Sequence, residues 1–391
     1  MILRKSLEKK GTFMEEEALG AAMQASFVAW MKETPDPRVE KMVTHPLPEL
    51  LFVLFVGQMC GMEDVDESVL FARMHQDWFC KIMDFKAGIA SAQTFRRVLS
   101  LIDSKAFERL FTAWASQWCA PGVIAIDGKC LRGASEKGDQ HKALYTVNAF
   151  ASRTGLVLGQ SRVHDKSNEI TAIPALLDQL SLKENIVTID AMGTQSKIAE
   201  AIRAKEADYI LALKGNQSSL HDDVKRFFED KELSKTCARH VTTNLGHGRI
   251  EERVIRVTDD IEWLRNLHPQ WKDLRTIVSI TSTRTDKKSA KSSTETRYYI
   301  SSLPPDPQHL LKSIRSHWSI ENTLHWSLDV VFGEDASRLR KDNAAVNMSV
   351  IRKTAFNALK REPSDMPIKL KRLQAAHDPA FRSSLIFLHN L

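Results

Sequence analysis

The sequence has few cysteines and no long apolar segment, and both absences limit the class of protein. Its five cysteines form no CxxC pair and no His-flanked cluster, so the sequence predicts neither a zinc ribbon nor a disulfide framework. The longest apolar run, residues 50–62, is too short to span a bilayer and too far from the N-terminus for a secretory signal. We therefore expect a cytoplasmic protein that makes no membrane contact.

Other missing patterns narrow the chemistry. The chain has no GxxxxGK[ST] loop, so we expect no nucleotide cofactor. Its formal charge of +6, from 55 basic and 49 acidic residues, is only a mild excess and is compatible with nucleic acid without requiring it. At 391 residues and 43% hydrophobic content, the chain is long enough for two or three globular domains.

Hydrophobic periodicity divides the chain into regions. Residues 1–35 form a charged extension that ends at the prolines of "TPDPR". Residues 36–120 carry apolar side chains at helical spacing, with Ser91 and Asp103 as N-caps, and predict a helical domain. The apolar run at residues 50–62 predicts a buried helix within it.

From residue 121 the pattern changes to short β-type runs. Five such runs, with two helical stretches between the later ones, give the order β-β-β-α-β-α-β over residues 121–216. This order is typical of a mixed sheet with helices on its faces. The fold class is therefore α/β.

The remaining regions complete the predicted organisation. Residues 217–301 have β-type pieces and no strong helical period, so we interpret them as a β-rich insertion. Residues 302–360 return to the core with a long amphipathic helix over 307–332, followed by a second helix over 333–360 with a basic first turn. Residues 361–391 are a basic tail.

Two aspartates end apolar strands. Asp127 follows "VIAI" and Asp190 follows "NIVTI". A single Asp-Gly is most often only a turn. In a parallel sheet, however, strand C-terminal ends lie at one edge, where ligands bind. Two such aspartates therefore indicate a site.

Glu321 is the third candidate acid. It lies between His317 and His325 at helical spacing, next to an apolar stripe. A carboxylate there is costly unless it is paired or metal-bound, although a solvent-exposed glutamate flanked by histidines is the alternative interpretation. Three carboxylates suit Mg²⁺. Two such ions about 3.5 to 4 Å apart would support phosphoryl transfer on a phosphodiester.

These motifs resemble those of a known family. "VIAIDGKCLRGA", "KSNEITAIPALLDQL", "IDAMGTQ", "DYILALKGNQ", "RYYISS" and "SHWSIENTLHWSLDVVFGEDASRLRKDNAA" resemble, in order and spacing, bacterial insertion-sequence transposases of the H-repeat-associated group. The likeness runs from about Asp36 to the last helices. It implies a DDE transposase with a ribonuclease H-like core, in which Asp127, Asp190 and Glu321 are the catalytic and metal-binding acids.

The resemblance also implies cofactors and partners. Two Mg²⁺ or Mn²⁺ ions are expected. The expected partner is double-stranded DNA, both the terminal inverted repeats of the element and the target. Coordinated action on two DNA ends implies a homo-oligomer in the complex, associated with the bacterial nucleoid when it acts.

The resemblance has one departure. Related transposase groups carry a Tyr, an Arg and a Lys around the catalytic Glu, whereas this chain has Leu311 or a neighbour near Ser313, then His317 and Leu328, at those places. Phosphate contacts therefore do not transfer from that signature. The acids that compete with Glu321 for the third place are Asp329, Glu334 and Asp335.

Several polar residues near the acids are predicted to contact DNA. The predicted DNA-binding residues are Lys129, Arg132, Lys214, Asn216, His317, Arg338 and Arg340. For each basic residue among them, a solvated surface charge is the alternative. Weaker candidates are Thr194 and Gln195 at a helix start, and the cluster Lys369, Lys371 and Arg372. Glu169 is either a fourth metal ligand or an ordinary residue of a helical first turn.

The favoured hypothesis is a transposase that cleaves DNA at the ends of an insertion sequence and transfers the freed strands. A DNA-binding relic or regulator that has lost catalysis is the main alternative. A zinc hydrolase using His317 and His325 is weak, because these are eight residues apart rather than the four of HExxH.

Overall fold

The computed structural model describes residues 29–134, 144–163, 169–246 and 248–387. The described residues form two compact units. The helical unit takes residues 29–115, 130–134, 144 and 325–387, and the sheet unit takes residues 116–129, 145–163, 169–246 and 248–324.

The helices of the described residues are numbered in chain order. They are α1 Ala29–Lys32, α2 Leu47–Met59, α3 Val65–Met74, α4 Gln76–Cys80, α5 Ala92–Leu101, α6 Ser104–Ser116, α7 Glu169–Gln179, α8 Ser196–Ala204, α9 Ser218–Glu229, α10 Lys231–Lys235, α11 Glu262–Leu267, α12 Pro307–His317, α13 Ala344–Arg361, α14 Ile368–His377 and α15 Pro379–Ile386. None of them is long and apolar enough to cross a membrane.

The strands are numbered in the same way. They are β1 Val123–Cys130, β2 Tyr145–Ala151, β3 Leu156–Val163, β4 Ile186–Ile189, β5 Asp208–Leu213, β6 Ala238–Gly246, β7 Arg249–Thr258, β8 Thr276–Asp286 and β9 Ser292–Ser301.

The helical unit is built around α2. This helix is apolar on nearly every side and almost wholly buried, packing against α3 and α13, so the predicted buried helix is confirmed. The Ser91 side chain accepts a hydrogen bond from the Thr94 amide, and Asp103 accepts one from the Ala106 amide. Both predicted N-caps are thus confirmed.

The C-terminal part of the helical unit differs from the expectation. The helix predicted from residue 333 begins only at Ala344, because Gly333 and Asp342 adopt positive φ angles of 61° and 47°, which a continuous α-helix does not allow. The predicted basic tail instead folds into α14 and α15, which pack on α13.

The sheet unit contains a nine-stranded sheet among the described residues, in the order β3-β2-β1-β4-β5-β9-β8-β7-β6. Strands β1, β4 and β5 pair in parallel, and β5 pairs antiparallel with β9. The predicted order of strands and helices up to β5 and the mixed sheet are confirmed.

Helices cover both faces of this sheet. On one face, Leu176 of α7, Ile202 of α8 and Val224 of α9 belong to one apolar core. On the other face, Leu310 and Ile314 of α12 pack in a second core. The alternation of strand side chains separates the two cores.

Residues 217–301 extend the same sheet. Strands β6 to β9 confirm that the region is rich in β-structure, and β9 joins it to β5. The expectation of no strong helical period was wrong for α9, whose buried residues Leu220, Val224 and Phe227 recur at i, i+4 and i+7.

Candidate active site

Asp127 and Asp190 occupy neighbouring positions in the sheet. Strands β1 and β4 pair in parallel with Ile126 opposite Ile189, and the two aspartates are the next residues on each strand. Adjacent strands lie about 4.8 Å apart, so this register brings the two carboxylates close together at one edge. Strand β1 continues to Cys130, so Asp127 lies within the strand and not at its end.

The loop after β4 holds the Asp190 carboxylate. Its Oδ1 accepts hydrogen bonds from the Met192 amide at 3.1 Å and the Gly193 amide at 3.2 Å. A Cβ at Gly193 would collide with the side chain of Ile189. Any other residue here would therefore have to displace the side chains of Ile189 and Ile173, the first of which lies next to Asp190.

Neighbouring elements fix the same loop. The buried Thr194 hydroxyl is 3.1 Å from the Asp190 carbonyl oxygen and 2.7 Å from that of Ala212 on β5. The Asn216 amide donates to the Ala191 carbonyl oxygen at 2.6 Å. Asn216 and Thr194, predicted as contacts for DNA, are thus used to hold the Asp190 loop.

Glu321 lies near Asp190. The predicted long helix is α-helical only to His317, and Glu321 lies in a π-helical segment, Ile320–His325, a distortion that is frequent at functional sites. Asp190 and Glu321 line one cavity of about 250 Å³. Burial and then the negative charge of Asp190 raise the pKa of Glu321, while the positive charge of Arg297 opposes this rise.

The acids are therefore associated in pairs. Asp127 and Asp190 are neighbours by register, and Asp190 and Glu321 line the same cavity. In the part of the chain that is described, no three His, Cys, Asp or Glu side chains form a ready-made metal site.

His317 links α12 to β4. Its Nδ1 lies 3.0 Å from the hydroxyl of Thr188, two residues before Asp190. Burial lowers the pKa of His317, although the charge of Asp190 acts in the opposite direction. Burial therefore favours the neutral imidazole. It lines the same cavity as the acids, and its geometry is that of a positioning residue.

Arg297 and Trp318 were missed as site residues. The Arg297 guanidinium lies 5.0 Å from the centroid of the Trp318 ring, a cation–π contact. It also forms hydrogen bonds of 2.8 and 3.1 Å with the carboxylate of Glu295. Trp318 was expected to be an apolar core contact but is 37% exposed, in the cavity that holds Asp190 and Glu321. An aromatic residue three positions before the candidate Glu321 was the available sequence signal.

The other predicted basic residues differ in their placement. Lys214 is exposed and lines the cavity with the acids, whereas Lys129 is buried. Arg132 is exposed in the helical unit and lies 3.7 Å from the Asp335 carboxylate. Arg338 and Arg340 also belong to the helical unit and line a different cavity.

Three weaker candidates are buried. Lys371 donates to the carbonyl oxygen of Glu362 at 2.7 Å, and Arg372 donates to that of Gln58 at 2.9 Å. Glu334 is also buried, and the hydroxyl of Ser349 donates to it at 2.8 Å. The side chain of Glu169 lies outside the described residues.

The remaining candidates belong to the helical unit. They are Asp329, Asp335 and His325, and none of them is among the residues that line the cavity of Asp190 and Glu321.

The acids suit a hard divalent cation. Carboxylate oxygens are the ligands that Mg²⁺ and Mn²⁺ prefer. The mutual repulsion that raises the pKa of Glu321 beside Asp190 is what a bound cation would relieve. The donor set and charge therefore fit such an ion.

Comparisons with known proteins identify the family of the chain. The family model described as "Transposase DDE domain" matches residues 118–358, and the model "DDE_Tnp_1-associated" matches residues 28–115. The chain is 40% identical to "Putative transposase YncI" of Escherichia coli O157:H7, over 90% of this chain and 92% of that protein.

Two further likenesses are recorded. "H repeat-associated putative transposase YhhI" of Escherichia coli K12 is 35% identical, over 90% of this chain and 95% of that protein. A solved piggyBac transposase synaptic complex with hairpin DNA matches with a TM-score of 0.43 and 13% identity, over 94% of this chain and 81% of that chain. At that score the structural likeness adds no weight.

The chain therefore belongs to the transposase DDE domain family, with H-repeat-associated relatives in bacteria. The strand order together with this membership confirms the predicted ribonuclease H-like core. The family generally uses a divalent metal ion.

Proposed function

We propose that this chain is a DNA transposase of a bacterial insertion sequence that cleaves the element's ends and transfers the strands to target DNA. The observation that carries the proposal is the placement of Asp190, which neighbours Asp127 by strand register and shares a cavity with Glu321. Family membership supplies the reaction class.

Asp127, Asp190 and Glu321 would hold the divalent cations. When bound, such ions activate an attacking oxygen and stabilise the leaving oxygen in phosphoryl transfer. The protein's own contribution is to fix the acids. The amides of the loop after β4 orient Asp190, and the bond between Thr188 and His317 holds α12 against β4.

Two successive displacements account for the activity. Water attacks the phosphorus at the element's end, and the departing strand carries the 3′ hydroxyl. That 3′ oxygen then attacks a target phosphorus, forms a new P–O bond and displaces the target's own 3′ oxygen. No covalent link to the protein is needed.

Basic side chains next to the acids would bind the flanking phosphates. Lys214 and Arg297 both line the cavity of the acids, and the Arg297 guanidinium lies over the Trp318 ring. Charge-assisted hydrogen bonds from such groups position a DNA strand without reading its sequence. The role of Arg297 and Lys214 is therefore to hold the DNA backbone.

A strand-cleavage assay tests this function. The substrate is duplex DNA carrying the element's two flanking ends, with Mg²⁺ or Mn²⁺. Asp127→Asn should abolish cleavage and strand transfer while leaving DNA binding in place. Asp178→Asn, at an exposed acid on α7 in the same unit, is the matched control and should cut like the wild type.

The result separates the two functional hypotheses. Metal-dependent cutting that is lost in Asp127→Asn supports the transposase. If the wild-type protein binds the ends but never cuts them, the chain is a DNA-binding relic or regulator.

A further inference from the structure

The helical unit contains a second cavity, of about 700 Å³, that the proposed chemistry does not use. It is formed by the start of α3, one face of α5, the segment 333–341 and the first half of α13. Six cationic side chains and three carboxylates line it. The cations are Arg96, Arg97, Arg338, Arg340, Lys341 and Arg352, and the carboxylates are Glu63, Asp64 and Glu67.

Arg352 gives this cavity a polar lining that is almost completely buried. Its side chain is only 2% exposed, and its Nε has no hydrogen-bond partner among the residues that the structure describes. Burial lowers the pKa of Arg352, an effect that the charge of Glu334 opposes. A buried guanidinium N–H without an acceptor costs free energy. The positive charge of Arg352 lies in the cavity wall and favours an anion in the cavity.

Three of the exposed cations are available to a ligand. Arg97 on α5, and Arg338 and Lys341 before α13, make no side-chain ion pair or hydrogen bond to the residues that the structure describes. Arg96 is paired with Asp66, and Arg340 donates only to the neutral Gly133 carbonyl oxygen, at 3.2 Å. The uncompensated positive charge therefore lies with these residues other than Arg96, and Arg97 and Lys341 represent its two sides.

Two of the three carboxylates are engaged locally. Asp64 caps α3 by accepting from the Glu67 amide at 2.9 Å. Glu67 in turn accepts from the Glu63 amide at 2.7 Å. Both carboxylates therefore accept hydrogen bonds from backbone amides around the start of α3, where negative charge compensates the helix N-terminus. The acids thus lie at the start of α3, and the cations on α5 and residues 338–341 form a separate basic wall.

We propose that this cavity binds backbone phosphates of DNA, so that the helical unit holds the nucleic acid through its own site. The inference rests on the proposed function, because DNA is then the source of phosphates. The basic wall combines several arginine guanidinium groups with one lysine, and such groups bind phosphate oxygens well. Contacts to backbone phosphates carry no sequence information, so we expect little sequence preference from this site.

Salt-dependent DNA binding tests the proposal. Binding of a labelled random-sequence duplex is followed by fluorescence anisotropy over a series of NaCl concentrations. The test variant is Arg97→Gln with Lys341→Gln. The control variant, Lys105→Gln with Arg109→Gln, removes two exposed cations of α6 that do not line the cavity. Circular dichroism melting checks that both variants fold.

The expected result is a change in slope. Log affinity falls linearly as log salt rises. Each lost phosphate contact should make this line shallower by about 0.9, hence by about 2 for the test variant. The control variant should keep the wild-type slope. Equal slopes for the test variant and the wild type would overturn the proposal.

A second titration identifies the source of the phosphate. Wild-type protein that binds pyrophosphate through Arg97 and Lys341, with an unchanged DNA slope in the test variant, would show a small phosphorylated ligand and overturn the DNA assignment.

The same proteins are run in the cleavage assay, which separates the two proposals. If the wild type cuts DNA and the test variant's slope is unchanged, only the cavity proposal fails. If the test variant's slope is shallower than that of the wild type but the wild type never cuts, only the catalytic proposal fails.

Discussion

The Glu321 carboxyl is harder to ionise than an isolated glutamate, because it is partly buried and faces the negative charge of Asp190. Arg297 acts in the opposite direction and favours the ionised form. A carboxyl must lose its proton to bind a metal ion. Protons should therefore compete with the metal at Glu321 at higher pH than at an ordinary glutamate.

Replacing Arg297 tests this charge balance. Arg297→Gln should raise the pKa of Glu321 further, so that cleavage at mildly acidic pH needs more Mg²⁺, about tenfold for each unit by which that pKa rises. At alkaline pH Glu321 is ionised in both proteins, and this extra Mg²⁺ requirement should vanish. The measurement is the Mg²⁺ concentration for half-maximal cleavage across pH.

The matched control for Arg297 is Arg226, an exposed cation on α9 in the same unit. Arg226→Gln should follow the wild-type profile. An Arg297→Gln protein whose Mg²⁺ requirement changes equally at every pH would show that Arg297 does not act through Glu321.

At the scale of single elements, the turn after β4 determines where Asp190 points. Gly193 is needed there because any Cβ would collide with Ile189, whereas a Cβ at Gly215 would meet nothing within 4 Å. The two glycines belong to loops that the Asn216 amide connects through the Ala191 carbonyl. They therefore form a matched pair for substitution.

Gly193→Ala should impair the site by moving the loop. We expect a stability loss of about 1 to 3 kcal/mol from overpacking, together with a large fall in cleavage rate. Thermal melting and the strand-cleavage assay measure the two effects. Gly215→Ala should change neither, and a Gly193→Ala protein that cuts at the wild-type rate would show that this turn does not position Asp190.

The sequence predicted correctly those elements that are determined by residues close to one another in the chain. Period-2 and helical apolar patterns are local, so the strands around Asp127 and Asp190 and the helix at residues 50–62 were predicted correctly. The π-helical turns around Glu321 and the late start of α13 were not, since positive φ angles and helix distortions have weak local signals. Placement of Arg297 over Trp318 depends on the pairing of distant strands.

The C-terminal helices stabilise the helical unit, in contrast to the predicted basic tail. The Lys371 ammonium donates to the carbonyl oxygens of Leu359 and Glu362 and pairs with the Glu362 carboxylate at 2.8 Å. Lysine side chains are usually solvated, so no local pattern predicted a buried one here. Leu359 lies on α13 and Glu362 follows it directly. Lys371 therefore links α14 to the end of α13.

Removing this lysine should destabilise the unit. Lys371→Met removes a donor from the carbonyl groups of Leu359 and Glu362 and the cationic partner of the Glu362 carboxylate, which keeps its hydrogen bonds from Ser364, at a cost of about 2 to 3 kcal/mol. Lys369→Met, two residues earlier and exposed, is the control and should cost little. Chemical denaturation compares the two variants, and equal midpoints would show that Lys371 is not a structural contact.

At the scale of the whole molecule, the central claim is that Asp127, Asp190 and Glu321 bind the same divalent cations, although they come from two strands and a π-helical segment. Register joins the first pair and a common cavity joins the second. Family membership gives the reaction class but does not show which acids act together. Metal binding therefore has to be localised on the chain itself.

The most direct measurement is metal-directed cleavage of the polypeptide. Fe²⁺ with ascorbate replaces Mg²⁺ on the protein bound to DNA, and the cut positions are mapped. The account predicts cuts near residues 127, 190 and 321, all suppressed by excess Mg²⁺ and all lost in Asp190→Asn. Cuts near only one of the three, or at rival acids such as Asp329 and Asp335, would contradict it.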